Sequence, residues 1–345
     1  MSPAERPIRA TVEGPVDLSV AVCTYNRADR LARALETIHQ ARLPDGCRWE
    51  LLLVDNRSTD RTVEVARAWS DRLPLRYLYE AEPGLSAARN RALAEACGRL
   101  IVFTDDDVEV DAGWLTAMMD ARRRWPSAAY LAGRILPAYE RPRPSWLTDA
   151  CESLLAGVVI KFSPPCEPGP LAPDDPRPMG ANLAFDTDIL RTVGGFRTDL
   201  GRNGASLVGG EEVAVLAELE RRGHRGVYVP DAIVHHHTPA DRLRPRFLRR
   251  YFAAVGVAAV RMGHIPSATR LGPPLWMVRK TVATGLAYLP RCLTGRPDAW
   301  IERMRAFCYY LGATWELLRT APHPAPTRPL SIGEAGAGRP AYDQQ

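Results

Sequence analysis

Short apolar runs alternate with polar turns and amphipathic stretches through the first third of the chain. Leu18–Cys23 (LSVAVC), Leu51–Val54 (LLLV), Leu75–Tyr79 and Leu100–Phe103 read as buried strands. Between them, Leu31, Leu35 and Ile38 recur at helical spacing, as do Val63, Ala66 and Trp69. Pro83-Gly84-Leu85-Ser86 turns the chain into a third helix reaching Ala96, with Ser86 its predicted N-cap. Strand and helix in alternation at this spacing predict βαβ units on a mostly parallel sheet flanked by helices. Right-handed crossovers align the carboxyl ends of such strands along one edge, where open α/β sheets bind ligands. Thr24–Arg27, Asp55–Asp60 and Thr104–Asp107 each follow a strand directly, so these polar clusters are expected to meet.

The middle of the chain is less regular. Residues 137–178 are rich in Pro and weakly periodic, which predicts a functional or mobile loop. Leu183–Phe185 is a short strand after Met179-Gly180-Ala181-Asn182, and Glu211–Arg222 is helical. Val227–Val229 and Ile233–Val234 are two short strands, closed by His235-His236-His237. From Phe247 onward come two or three amphipathic helices carrying Arg. The expected organisation is a leader at 1–16, an α/β domain at 17–240, a basic helical appendage at 241–320 and a disordered tail at 321–345.

Composition narrows the class. With 46% hydrophobic and 25% charged residues over 345 positions, the chain can bury a sizeable core, which excludes wholesale disorder. No apolar run reaches the ~18–20 residues that cross a bilayer, and residues 1–17 hold no apolar signal core, so a cytoplasmic protein is expected. Seven cysteines without a C-x-x-C pair predict buried free thiols rather than a disulfide framework or a zinc ribbon. The net charge of +5 is uneven, since residues 241–345 carry 16 Lys and Arg against 6 Asp and Glu. Such a segment meets something anionic, phosphates or a membrane surface, but the imbalance does not argue for nucleic acid. For residues 242–319, peripheral contact with the inner face of a membrane stands beside a packed helical cap or dimer surface. The sequence leaves the oligomeric state open.

Several clusters carry candidate chemistry. Asp105-Asp106-Asp107 follows an apolar strand; three carboxylates repel unless a cation joins them, and hard oxygen ligands suit Mg²⁺ or Mn²⁺ held with phosphates. The other reading is a solvated cap of a helix beginning near Val108. Asp55 either accepts hydrogen bonds from a base or ribose or caps the next helix. His235 and His237 share one strand face and His236 takes the other, so one face can join a metal site or the run can lie on the surface. Glu211-Glu212 follows Gly209-Gly210 and opens a helix, as a general base on a hinge or as acids favoured by the helix dipole. Gly84–Asn90 turns into a helix whose N-terminus, with Arg89, can meet a diphosphate or be plainly capped.

Taken together, Val22–Arg27, Val54–Thr62, Gly84–Asn90, Phe103–Val108, Gly180–Asn182, Gly210–Glu212 and Val234–His237 resemble, in order and spacing, the family 2 glycosyltransferases of GT-A fold. The resemblance covers about residues 18–240. It implies an inverting enzyme that moves a sugar from a nucleotide donor, here UDP, to a hydroxyl of a glycan, lipid-linked or small-molecule acceptor, with Mg²⁺ or Mn²⁺. It implies that Thr24, Asn26 and Arg27 lie against the nucleotide, that Asp55 contacts the base, and that Arg89 and Asn90 border the pocket. Asp105 then takes the ribose, Asp106 or Asp107 the cation, and His236 or His237 completes the metal or diphosphate site. Gly180 and Asn182 line the donor-sugar side. Glu212 is the implied base, on a longer arm than the Asp more usual there, which keeps Glu211 as the alternative. A nucleotidyltransferase would want a glycine-rich loop after the first strand, which Cys23–Arg27 lacks. A non-catalytic nucleotide-sugar or glycan-binding module would not need the acid pair. A dinucleotide oxidoreductase would need G-x-G-x-x-G there.

Overall fold

The computed structural model describes residues 14–164, 167–172, 174–265, 273–290 and 297–320. They fall into two compact units, one of residues 1–143 with 155–243, the other of residues 144–154 with 244–345. The expected tail at 321–345, and all but the end of the expected leader at 1–16, lie outside the described residues.

The first unit is built on one mixed sheet. Its strands are β1 (Leu18–Thr24), β2 (Trp49–Asp55), β3 (Leu75–Tyr79), β4 (Leu100–Asp105), β5 (Val108–Val110), β6 (Tyr130–Tyr139), β7 (Gly169–Pro170), β8 (Asn182–Asp186) and β9 (Gly226–Thr238), in the order β3-β2-β1-β4-β8-β6-β9-β5 with β7 beside β9. Strands β1 to β4 are parallel, joined by α1 (Ala28–Gln40), α2 (Thr62–Trp69) and α3 (Leu85–Glu95), as the alternating pattern predicts. Nearly every residue of β1, β2 and β4 is buried, because helices cover both faces of a parallel sheet. On α1, the apolar stripe Leu31, Leu35 and Ile38 is buried. Beyond β4 the direction reverses: β8 is antiparallel to β4 and to β6, while β6 and β9 run parallel.

Four features differ from the sequence reading. Strand β9 is continuous through Pro230 and the histidine run, where two short strands were expected; the Pro is absorbed by a register shift against β6 between Gly133 and Arg134. Val108 opens β5 rather than a helix, so Asp106 and Asp107 form a tight turn between two strands. Gly84, at φ 129, holds the cap position of α3, a conformation a side chain would strain. Ser86 therefore lies inside α3, and its hydroxyl donates to the Leu200 carbonyl at 2.8 Å. Residues 137–178 contain the end of β6, α5 (Asp149–Leu154), α6 (Ala156–Val159) and β7, all too short to show a period. Helices α4 (Trp114–Arg124), α7 (Thr187–Thr192) and α8 (Glu211–Arg221) complete this unit together with α6.

The second unit contains α5, α9 (Pro245–Arg261), α10 (Leu275–Tyr288) and α11 (Pro297–Arg319). Helices α9 and α11 approach closely: a Cβ on Gly256 would lie 2.0 Å from the Tyr309 carbonyl oxygen, and one on Gly312 would lie 2.0 Å from that of Ala253. Among the described residues no helix is long and apolar enough to cross a membrane. The described cysteines are free thiols; Cys151 and Cys308 are buried as expected, but Cys97 is exposed.

Candidate active site

The carboxyl ends of β1, β2 and β4 meet as the alternating pattern requires. Thr24, the last residue of β1, donates from its hydroxyl to Asp106 at 2.8 Å. Arg27, three residues on, donates from Nη1 to Asp106 at 2.8 Å and to Asp107 at 3.0 Å. Asp106 is thus committed to the β1 turn. Burial, opposed by Arg27 and reinforced by Asp107, pushes its carboxyl up to about 6.

The neighbouring acids face a different way. Ligand atoms of Asp105, Asp107 and His236 all lie within 4.8 Å of one another. The His236 Nδ1 lies 2.9 Å from the His237 carbonyl oxygen, which can only accept, so Nδ1 carries the proton. In the neutral ring, Nε2 then presents a lone pair 3.3 Å from Asp107 Oδ1 and 3.6 Å from Asp105 Oδ2. Asp107 Oδ1 is itself buried without a hydrogen-bond partner. A lone pair facing two carboxylates is unfavourable unless a cation joins them, and two oxygens with one imidazole form a suitable divalent set. The residues present therefore fit a divalent metal ion. The structure gathers Asp105 with Asp107 and His236, while Asp106 is held by Thr24 and Arg27. His237 lies half-buried with its Nε2 unpartnered, and burial and Arg30 lower its pKa. His235 meets Asp111 at 3.0 Å on the exposed side.

Arg89, on α3, links this cluster to the second acid pair. Its buried guanidinium donates to Glu211 Oε1 at 2.8 Å and lies 3.5 Å from Asp105 Oδ1. Gly180 leaves room for it, since a Cβ there would come within 2.5 Å of Arg89 Nη2. Glu211 is thereby paired. Glu212 meets no such cation; the Oε2 atoms of both glutamates are buried without a hydrogen-bond partner, and burial together with Glu211 pushes the Glu212 carboxyl up to about 7. Asp105 is held well below the usual carboxylate range against the cost of burial, by His236 where its ring donates from Nε2 and by the charge of Arg89.

The remaining predicted residues hold loops in place. Asp55 is buried, accepting from the Tyr77 hydroxyl and the Ser58 amide at 2.7 Å each. Asn26, at φ 52, accepts from the Thr59 amide at 2.7 Å and so ties the β1 turn to the β2 turn. Asn90 exchanges a pair of hydrogen bonds with the Phe196 backbone at 2.7 and 2.8 Å. Asn182 is buried with its amide engaged by Trp114 Nε1 and by the Arg134 and Ala232 carbonyls.

Two further arginines face the acidic cluster. Arg242, buried in the turn after β9, reaches to 3.7 Å from Asp107 Oδ2. Burial, and the nearby charge of Arg202, lower it to about 10. Arg202 also acts electrostatically on Asp105. Nothing in the local sequence marked either one, because only folding brings the loop at 199–210 and the end of β9 to this edge.

A family model described as "Glycosyl transferase family 2" matches residues 19–165. The succinoglycan biosynthesis protein ExoM of Rhizobium meliloti is 25% identical over 228 residues, covering 65% of this chain and 68% of its own. Residues 19–165 thus carry a family 2 glycosyltransferase domain. The glucosyl-dolichyl phosphate glucuronosyltransferase of Haloferax volcanii is 24% identical to this transferase over 221 residues, covering 64% of this chain and 68% of its own. Among solved structures, the mannosyltransferase PcManGT from Pyrobaculum calidifontis, in complex with GDP-Man and Mn²⁺, superposes with a TM-score of 0.55 at 20% identity, covering 92% of this chain and 91% of its own. The transferase thus has the GT-A fold and is a glycosyl-transferring enzyme.

Proposed function

We propose that the enzyme transfers a sugar with inversion from a UDP-sugar to a hydroxyl of a glycan, lipid-linked or small-molecule acceptor. The observation that carries this reading is the division of labour among the buried acids: Arg89 pairs with Glu211 and leaves Glu212 unpaired beside the Asp105, Asp107 and His236 cluster. Asp105, Asp107 and His236 hold Mg²⁺ or Mn²⁺. When bound, that cation supplies positive charge to the departing diphosphate. Arg202 and Arg242 sit where they meet the same developing charge, since a buried Arg242 lowered by burial and by the nearby Arg202 calls for an anion. Glu212, its carboxyl poised near neutrality, takes the proton of the acceptor hydroxyl as that oxygen attacks the anomeric carbon. The carbon–oxygen bond to the nucleoside diphosphate breaks on the opposite face, and no covalent enzyme intermediate forms. Asp55 and the Asn26 turn, tied together at the β2 edge, border the base, and Asn90 and Asn182 keep the Phe196 loop and β8 in position. An exposed free thiol, Cys97, accords with a reducing, cytoplasmic setting.

Incubation with UDP-sugars and Mg²⁺ or Mn²⁺ tests the proposal through UDP release, with the anomeric configuration of the product read by NMR. Turnover with inversion, abolished by chelation and by Glu212→Gln, is the expected result. Turnover with retention, or full activity of Glu212→Gln, overturns it. The name of one relative, acting on glucosyl-dolichyl phosphate, favours lipid-linked acceptors for the first screen.

A further inference from the structure

Of the large apolar side chains that the described residues leave exposed, all but Tyr25 and Tyr79 lie on or just beyond α10 and α11. Leu275, Val278, Val282, Leu286 and Leu289 follow one another at intervals of three, four, four and three, which places them in one stripe along α10 and its final turn. Leu311, Trp315 and Leu318 repeat the pattern along α11. The two helices lie antiparallel. Thr281 and Thr314 share a hydrogen bond at 2.9 Å, and the rings of Tyr288 and Phe307 stack at 5.9 Å. These contacts fix the rotation of each helix about its axis. The helical period then puts both stripes on the same side of the pair, as one continuous apolar face.

The charges around this face have one sign. Arg279 on α10 and Arg319 on α11 are exposed on the flanks of the stripes, Lys280 lies on the opposite side of α10 over the Tyr310 ring, and α10 contains no Asp or Glu from Leu275 to Tyr288. On α11, Glu316 is buried and paired with Arg261 at 2.7 Å, which leaves Glu302, near the opposite end from Trp315, as an exposed acid. A second copy docking through this face would bring Arg279 and Arg319 against like charges, which opposes a self-complementary dimer. An anionic lipid surface complements both features: leucines, valines and Trp315 enter the boundary between headgroups and acyl chains, and the basic rim meets the phosphates. We propose that the α10–α11 face is a peripheral docking surface for an anionic bilayer, on which the two helices lie in the plane of the interface.

Flotation of the full chain with phosphatidylcholine vesicles, with and without phosphatidylglycerol, tests this without reference to the donor or to the mechanism of transfer. The chain is expected to float with the anionic vesicles, less with the neutral ones, and less at high salt. Val282→Asp combined with Leu286→Asp changes only exposed positions, so it is expected to lower binding by about tenfold or more at an unchanged melting temperature. Arg279→Ser with Arg319→Ser is expected to remove the preference for phosphatidylglycerol. Failure to float with anionic vesicles overturns the proposal, as does binding by the Val282/Leu286 variant equal to that of the parent. Light scattering that shows a dimer dissociated by the same variant also overturns it.

Discussion

The sheet of the first unit buries acids at both of its edges and treats them in opposite ways. At the amino-terminal edge, Glu50 near the start of β2 is 1% exposed. Its Oε1 accepts from the Ser19 hydroxyl at 2.6 Å and from the Cys97 amide at 2.7 Å, and its Oε2 meets Arg76 at 2.5 Å. Both oxygens are filled by groups that belong to the fold. At the carboxyl-terminal edge, Asp107, Glu211 and Glu212 each keep a buried oxygen without a partner, and His236 Nε2 lies 3.3 and 3.6 Å from two carboxylates. Burying a charge without full hydrogen bonding is costly, so the second arrangement is tolerated where something else is to bind. A completed network marks a structural ion pair, and an incomplete one marks a site.

Substitutions at the two edges sharpen this contrast. Glu212→Gln is expected to give the largest effect, lowering kcat by about 10²–10⁴-fold while thermal stability stays at or above that of the parent, because the role proposed for this acid lies in catalysis and not in folding. Steady-state kinetics beside a melting curve read both quantities. Glu50→Ala is expected to do the reverse. It leaves Arg76 buried without its main partner and costs about 3–5 kcal/mol in urea unfolding, with little change in kcat for the folded fraction. A Glu50 variant that loses turnover but not stability would erase the distinction. Asp107→Asn is expected to raise the concentration of Mn²⁺ needed for half-maximal activity by about tenfold or more, measured by metal titration, whereas Asp106→Asn acts chiefly through the Thr24 and Arg27 turn.

The same contrast extends to the pH dependence of stability. The Glu212 carboxyl titrates near 7 in the folded chain against 4.5 in the unfolded one. Between these values the folded state holds the extra proton, so this group's contribution is present at low pH and is lost as pH rises toward 7. Activity moves the other way, since the proposed base must be deprotonated, and kcat is expected to climb through about pH 7. Denaturation of parent and Glu212→Gln at pH 5 and pH 8 isolates the stability term, which the variant lacks.

Much of this was legible from residue order. The apolar runs at β1 to β4, each followed by polar residues, fix a parallel sheet with Thr24, Asp55 and Asp105 at one edge, because the period of a buried strand and the hand of a βαβ crossover are local properties. The acidic run, the glutamate pair and the histidine run could therefore be chosen as the chemistry-bearing groups. Which member of each run meets which partner was decided only by tertiary contacts. Whether Asp105 or Asp106 joins Asp107 depends on where Thr24 and Arg27 place their donors, and whether Glu211 or Glu212 stays unpaired depends on Arg89 reaching through the gap beside Gly180. Strand β6, the continuity of β9 past Pro230, and the approach of Arg202 and Arg242 to the acids lay beyond any local pattern. Periodicity and turn chemistry act over a few residues and are written into the sequence, whereas the saturation of a buried polar atom is decided by groups that meet only when distant segments pack.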